Sequence, residues 1–78
     1  MIITAAQVRE ARKLLSLTLT GLAAQSGVDA KHLVAFELGK RRMSVLDLSV
    51  IQRVLEAAGV EFIAENGGGP AVRLRKGK

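Results

Sequence analysis

The sequence predicts a mainly α-helical fold, a compact four- to five-helix bundle that contains a helix-turn-helix and carries a C-terminal β-hairpin or strand extension. Three observations indicate this fold. Apolar residues recur at helical spacing as far as Gly59. Ser, Thr or Asp precedes each helical run, and Gly follows most of them. Beyond Gly59 the apolar pattern changes to alternation, which is typical of strands.

The first helix is predicted over about residues 5 to 15. Thr4-Ala5-Ala6-Gln7 has the form of a capping box, in which the Thr and Gln side chains bind amides at the helix start. The inward positions that follow are Val8, Ala11, Leu14 and Leu15.

Two short helices follow, joined by the three-residue segment Gly27-Val28-Asp29. Thr18 caps the first of them, and Gly27 ends it with a positive φ that a side chain would disfavour. Asp29 caps the next helix, which carries Leu33 and Phe36 inward and ends at Gly39. This is the layout of a helix-turn-helix, whose second helix enters the major groove of DNA.

A fourth helix begins at Ser44 and closes at Gly59, with an inner stripe of Leu48, Ile51, Leu55 and Ala58. Residues 60 to 75 are interpreted as a β-hairpin around the turn Asn66-Gly67-Gly68-Gly69-Pro70. Two strands alone are marginal in water, so the hairpin must pack on the helices or pair with another copy.

The net charge of +5 is concentrated in two groups, Lys40-Arg41-Arg42 and the C-terminal Arg73, Arg75, Lys76 and Lys78. A small basic domain favours polyanions as partners, with nucleic acid ahead of anionic membrane. The C-terminal group serves solubility equally well. The start of the chain has no secretory pattern, and no apolar run is long enough to cross a bilayer, so we expect a cytoplasmic protein without membrane contact.

Several apolar, glycine and capping residues occupy the positions that one known type of helix-turn-helix sequence has at the same spacing. They are Leu15-Ser16-Leu17-Thr18, Leu22-Ala23, Ser26-Gly27-Val28-Asp29, Leu33, Phe36-Glu37 and Gly39-Lys40. Over roughly residues 5 to 59 the chain therefore resembles the Cro/phage-repressor type of helix-turn-helix, the XRE family. The resemblance implies a transcriptional regulator, a repressor, that binds inverted-repeat duplex DNA as a homodimer. Residues 1–59 would form the DNA-binding domain, and residues 60–78 a hairpin extension with a basic tail.

The resemblance also implies roles for particular residues. Base contacts fall on Ala30, Lys31 and Ala35, with His32 beside them, and a structural ion pair falls on Arg12 and Glu37. Phosphate contacts are expected from Thr18 and Leu19 at the start of the second helix and from Lys40, Arg41 and Arg42 after the third. Two positions depart from the family pattern. Leu19 replaces a polar residue that reaches a phosphate, and Gly21 replaces a better helix former.

Other classes of function have less support. His32 is the single histidine, no cysteine is present, and no nucleophile–base constellation or nucleotide-binding motif occurs, so we expect neither an enzyme nor a cofactor or metal. The main alternative is a protein-interaction module built on a helix-turn-helix frame, such as an antitoxin that binds a partner protein. It is favoured by the apolar Val34, Ala35 and Leu38 on the outer helix face and by the open hairpin edge.

Overall fold

A computed structural model describes residues 2–64 and 69–75, and this part of the chain forms four helices followed by a two-stranded antiparallel sheet. In chain order the elements are α1 (Ala5–Leu15), α2 (Leu19–Ser26), α3 (Ala30–Glu37), α4 (Val45–Ala57), β1 (Val60–Ile63) and β2 (Ala71–Leu74). The predicted helical bundle with a C-terminal hairpin is thus confirmed, with four helices in the described ranges. Most of the turn (Asn66, Gly67 and Gly68) and the tail residues Lys76 and Lys78 lie outside the described residues.

Each helix begins at a side-chain cap, as the sequence predicts. The capping box of α1 is complete, because the Gln7 amide donates to Thr4 Oγ1 (3.1 Å) and the Thr4 amide donates to Gln7 Oε1 (2.9 Å). The other three helices start at Thr18, Asp29 and Ser44, whose side-chain oxygens accept from backbone amides of the first turn. Local chemistry therefore determines where these helices start.

One hydrophobic core lies between the helices and the inner face of the hairpin. Its members are Ile3, Val8, Ala11, Leu22, Val28, Leu33, Phe36, Leu48, Ile51, Leu55, Val60 and Phe62. Ile3, at 2% exposure, precedes the first helix and is a core residue that helical periodicity did not predict. No helix in the described ranges is long and apolar enough to span a membrane.

Two residues lie differently from the sequence pattern. Ala58 was expected on the inner stripe of α4, but it is exposed. The helix ends at Ala57, and Ala58 is its cap, so the stripe stops at Leu55. Leu74 is an apolar residue of the alternating segment, two positions after Val72, but it is 51% exposed, because it lies at the end of β2.

The hairpin packs on α1 and α4 within the same chain. Phe62 faces Val72 across the two strands and is 8% exposed, so the helices cover the inner face of the hairpin. On the outer face, Glu61 is opposite Arg73 and accepts a hydrogen bond from its Nε at 2.8 Å. Of the two alternatives that the sequence left open for the hairpin, packing on the helices is therefore found.

Gln7 links the start of α1 to the hairpin. Its Nε2 donates to the carbonyl oxygens of Ile63 (3.2 Å) and Ala71 (3.1 Å), one on each strand. The residue is 3% exposed, and its Oε1 accepts from Thr4, so the whole side-chain amide is satisfied. The capping box indicated only the bond to Thr4; the bonds to the hairpin come from chain segments far away in sequence.

We predict that Gln7→Met lowers the free energy of unfolding by about 1–3 kcal/mol, because two strand carbonyls and the Thr4 amide lose their partner. Urea denaturation followed by circular dichroism measures the change. Gln52→Met is the matched control, since within residues 2–64 and 69–75 the Gln52 side chain bonds to Glu56 alone, one turn along α4, a kind of pair worth about 0.2–0.5 kcal/mol. Equal losses in the two variants would show that the hairpin does not depend on Gln7.

Candidate functional site

α2 and α3 are joined by the three residues Gly27, Val28 and Asp29. Gly27 has a φ of +77°, the left-handed conformation that the sequence indicated. Val28 is 7% exposed and anchors the turn in the core. Asp29 Oδ1 then accepts from the Lys31 amide at 2.7 Å and starts α3. The turn thus holds the two short helices against each other while one face of α3 stays at the surface.

The two faces of α3 differ sharply. Leu33 (0% exposed) and Phe36 (9%) lie in the core, as predicted. Of the residues expected to touch bases, Ala30 and Lys31 are exposed, whereas His32 and Ala35 are half-buried. Val34 and Leu38 are exposed at 42% and 63% and make the outer face partly apolar. Contact of this face with bases remains a prediction.

The start of α2 contains the two departures from the family pattern. Thr18 is exposed, and its Oγ1 accepts from the Gly21 amide at 2.9 Å. The Leu19 side chain is half-buried against the core, so a phosphate could meet only its backbone amide. A Cβ on Gly21 would lie 3.0 Å from Leu17 Cδ1 and 3.1 Å from Thr18 Oγ1. The missing side chain therefore makes room for Leu17 and for the capping Thr18.

The basic loop after α3 turns back at Gly39. The Gly39 amide donates to Phe36 O (3.0 Å) and the Lys40 amide to Ala35 O (2.9 Å), and Gly39 has a φ of +75°. These bonds form the Schellman motif, which reverses the chain at a helix end. Lys40, Arg41 and Arg42 are all exposed.

Arg41 extends back to the start of α3. It lines a surface depression of about 240 Å³ together with Asp29, Lys31 and His32. The sequence indicated three equivalent cations beyond the helix end. In the structure Arg41 lines this depression and Lys40 and Arg42 do not. The chain reverses at Gly39, and this reversal brings Arg41 close to the first turn of α3.

Arg12 and Glu37 form the ion pair that the resemblance implied. Arg12 Nε donates to Glu37 Oε2 and Nη2 donates to Oε1, both at 2.7 Å. Arg12 Nη1 also donates to the backbone oxygen of Leu17 at 3.0 Å. The Glu37 side chain is only 6% exposed, so its charge depends on this two-point contact. The pair ties together α1, the α1–α2 turn and the end of α3.

Arg9 adds a bond that sequence reasoning missed. Its Nη1 donates to the backbone oxygen of Glu37 at 3.0 Å, one turn before Arg12 on α1. Arg9 is exposed, so helical periodicity indicated only a solvent-facing residue.

The ion pair also changes the pKa of Arg12. The hydrogen bond from Arg12 to Glu37 raises this pKa, burial lowers it, and the coulombic attraction of the Glu37 carboxylate raises it further, so the net direction is upward. Because the pKa of Arg12 is higher in the folded than in the unfolded chain, the ion pair stabilises the fold fully at pH values below the ordinary arginine pKa. This stabilisation is lost only in strong alkali, so Arg12 stays charged throughout the neutral range.

No group of three His, Cys, Asp or Glu side chains within residues 2–64 and 69–75 could hold a metal ion. His32 lies with Lys31 and Arg41, both of which are cationic. A second depression, on the hairpin, is lined by Glu61, Arg73, Leu74 and Arg75, and its Glu61 and Arg73 are already paired with each other.

We predict that Glu37→Gln lowers the free energy of unfolding by about 1–3 kcal/mol, because Arg12 loses its charged partner. The double variant Arg12→Met, Glu37→Leu should recover part of that loss, since it removes the buried carboxylate together with its charged partner. Glu61→Gln is the control, because its pair with Arg73 is exposed and such pairs are worth about 0–1 kcal/mol. Additive losses in the double variant would contradict the coupling.

No protein-family model matches the sequence, and no curated protein is significantly similar to it. A function for this chain must therefore be inferred from its fold and from the chemistry of the surface around α3.

Proposed function

We propose that this chain is a sequence-specific duplex-DNA-binding transcriptional regulator, a repressor that acts as a dimer on an inverted-repeat operator. The observation that carries the proposal is the position of α3. The helix follows a three-residue turn, buries Leu33 and Phe36, and leaves Ala30 and Lys31 exposed. A second helix placed in this way fits the major groove, which is wide enough to admit an α-helix.

The outer face of α3 has the chemistry for reading a few base edges. The Lys31 ammonium can donate to O6 or N7 of guanine, and the methyl groups of Ala30 and Ala35 can contact the methyl group of thymine. His32 lies beside them and can contribute a ring N–H. Lys31 is the one long hydrogen-bonding side chain among the four, so we infer modest direct specificity, supplemented by DNA shape.

The surrounding groups supply sequence-independent contacts. Lys40, Arg41 and Arg42 are exposed directly after α3, where they can neutralise phosphates and release counterions. At the start of α2, Thr18 and the Leu19 amide provide a further polar edge. These contacts position the helix on the duplex and do not read its sequence.

The second candidate function is a protein-interaction module, such as an antitoxin. One observation favours it: Val34 and Leu38 are exposed apolar side chains on the same helix as Lys31. A partner protein could cover them. A stable stoichiometric complex with a partner, in the absence of DNA binding, would favour this candidate.

We predict that Lys31→Ala weakens binding to the preferred duplex by about 1–3 kcal/mol and changes binding to random duplex little. The preferred site is obtained first, by selection from a randomised duplex library with the unmodified chain. Fluorescence anisotropy on both duplexes measures the change. Lys13→Ala is the control for net charge, because Lys13 is an exposed lysine on α1. Equal losses on specific and random DNA would contradict base reading and bring the protein-interaction candidate to first place.

We predict that Lys40→Ala and Arg42→Ala weaken binding to every duplex sequence alike. Each removed phosphate contact flattens the slope of log affinity against log salt by about 0.9. Titrations at four salt concentrations on specific and random duplex measure the slopes. A loss confined to the preferred sequence would show that these side chains read bases.

We propose the hairpin as the dimer contact, because Leu74 is 51% exposed on it. Val60 and Phe62 belong to the core, so deletion of the hairpin would unfold the chain and cannot test this. We predict that Leu74→Lys converts a dimer into a monomer in sedimentation equilibrium. Leu46→Lys, the same change at an exposed position on α4, should leave the dimer intact. A monomeric unmodified chain would contradict the proposed dimer.

A further inference from the structure

We infer that the depression beside the first turn of α3 holds one phosphate of the DNA backbone, bound by the Arg41 guanidinium and a ring N–H of His32. The inference rests on the proposed duplex-DNA function and deepens it. It gives Arg41 a role that Lys40 and Arg42 do not share. It also assigns the His32 ring to the phosphate instead of a base edge, which leaves Ala30, Lys31 and Ala35 for base contact.

The backbone of the loop brings the two side chains together. α3 is eight residues long, so its end lies about 12 Å along the helix axis from its start. Without the reversal at Gly39 the loop would move further away from His32. The Schellman bonds from Gly39 and Lys40 turn the chain back instead, and Arg41 lines the same depression as His32.

The charges in the depression leave a positive excess. Lys31 and Arg41 contribute two positive charges and Asp29 one negative charge, which leaves +1 with His32 neutral. Asp29 Oδ1 already accepts from the Lys31 amide as the helix cap. Neither Lys31 nor Arg41 forms an ion pair with another residue in the described ranges. In the hairpin depression, by contrast, Arg73 already has Glu61 as its partner.

The size and the hydrogen-bond donors of the depression fit a phosphodiester better than a larger small-molecule ligand. At about 240 Å³ it is smaller than typical small-molecule sites, which occupy about 300–1,000 Å³. A phosphodiester group presents two non-bridging oxygens that share one negative charge, so it can accept from a guanidinium and from an imidazole at once. Lys31 also lines the depression, but it is exposed on the outer face of α3 and its long side chain can reach a base edge, whereas Arg41 reaches the depression from the loop beside the helix.

The test uses the full chain and the duplex selected by the unmodified protein. We expect Arg41→Ala to lose about 8-fold in affinity at about 0.1 M salt, on specific and random duplex alike, as one phosphate contact predicts. A series of duplexes, each with one neutral methylphosphonate, should contain a position that weakens binding by the unmodified chain and Arg42→Ala, and weakens binding by Arg41→Ala much less, since only His32 then contacts that phosphate. Arg42→Ala is the matched control, with the same charge lost one residue away.

A double-mutant cycle tests whether His32 shares that phosphate. The combined loss in His32→Ala, Arg41→Ala should fall short of the product of the single losses by about threefold or more. His32→Ala with Arg42→Ala should be multiplicative within about twofold, because independent contacts add in free energy.

Three results would overturn the inference. The first is the same methylphosphonate sensitivity in Arg41→Ala and Arg42→Ala. The second is a multiplicative cycle for His32 with Arg41, and the third is a loss in Arg41→Ala on the preferred duplex alone, which would make Arg41 a base reader. In each of these the unmodified chain still binds a preferred duplex, so the proposed function stands. If the unmodified chain binds no duplex DNA, the proposed function fails and the inference fails with it.

Discussion

The two-point contact between Arg12 and Glu37 is the constraint on which the rest of the structure depends. Glu37 lies at the end of α3 with its side chain 6% exposed, and a carboxylate at that depth is stable only when it is paired and hydrogen-bonded. Arg12 meets both of its oxygens at 2.7 Å and also holds the α1–α2 turn through Leu17 O. Breaking the pair would leave an unpartnered charge in the core. The orientation of α3 relative to α1 is therefore determined by charge as well as by packing.

That orientation decides what α3 presents at the surface. With Glu37 held against α1, Leu33 and Phe36 face the core, and the opposite side of the helix, which includes Lys31, faces solvent. The reversal at Gly39 then carries the basic loop back beside the helix. α3 is held at its start by Asp29 and at its end by Glu37. Preorganisation of this kind would lower the entropy cost of the binding that we propose.

α1 links the two ends of the molecule. Near its start, Gln7 donates to both strands of the hairpin, and two and five residues later Arg9 and Arg12 donate to Glu37. A hairpin of four-residue strands is marginal by itself, so it depends on α1 and α4 for cover and on Gln7 for satisfied carbonyls. The core is continuous from Leu33 to Phe62. The helical part and the hairpin therefore share one core.

The sequence by itself determined the elements, because caps, helical spacing and glycine stops act over a few residues. It predicted the start of every helix and the inward positions Leu33, Phe36 and Ile51, and the resemblance paired Arg12 with Glu37. It was wrong at Ala58, because α4 ends at Ala57 and Ala58 is its exposed cap. Only the tertiary structure decided the rest: the bonds of Gln7 to the hairpin, the burial of Ile3, the bond of Arg9, and the place of Arg41 beside His32. Each of these joins groups that local spacing does not relate, and such contacts depend on how the whole chain packs.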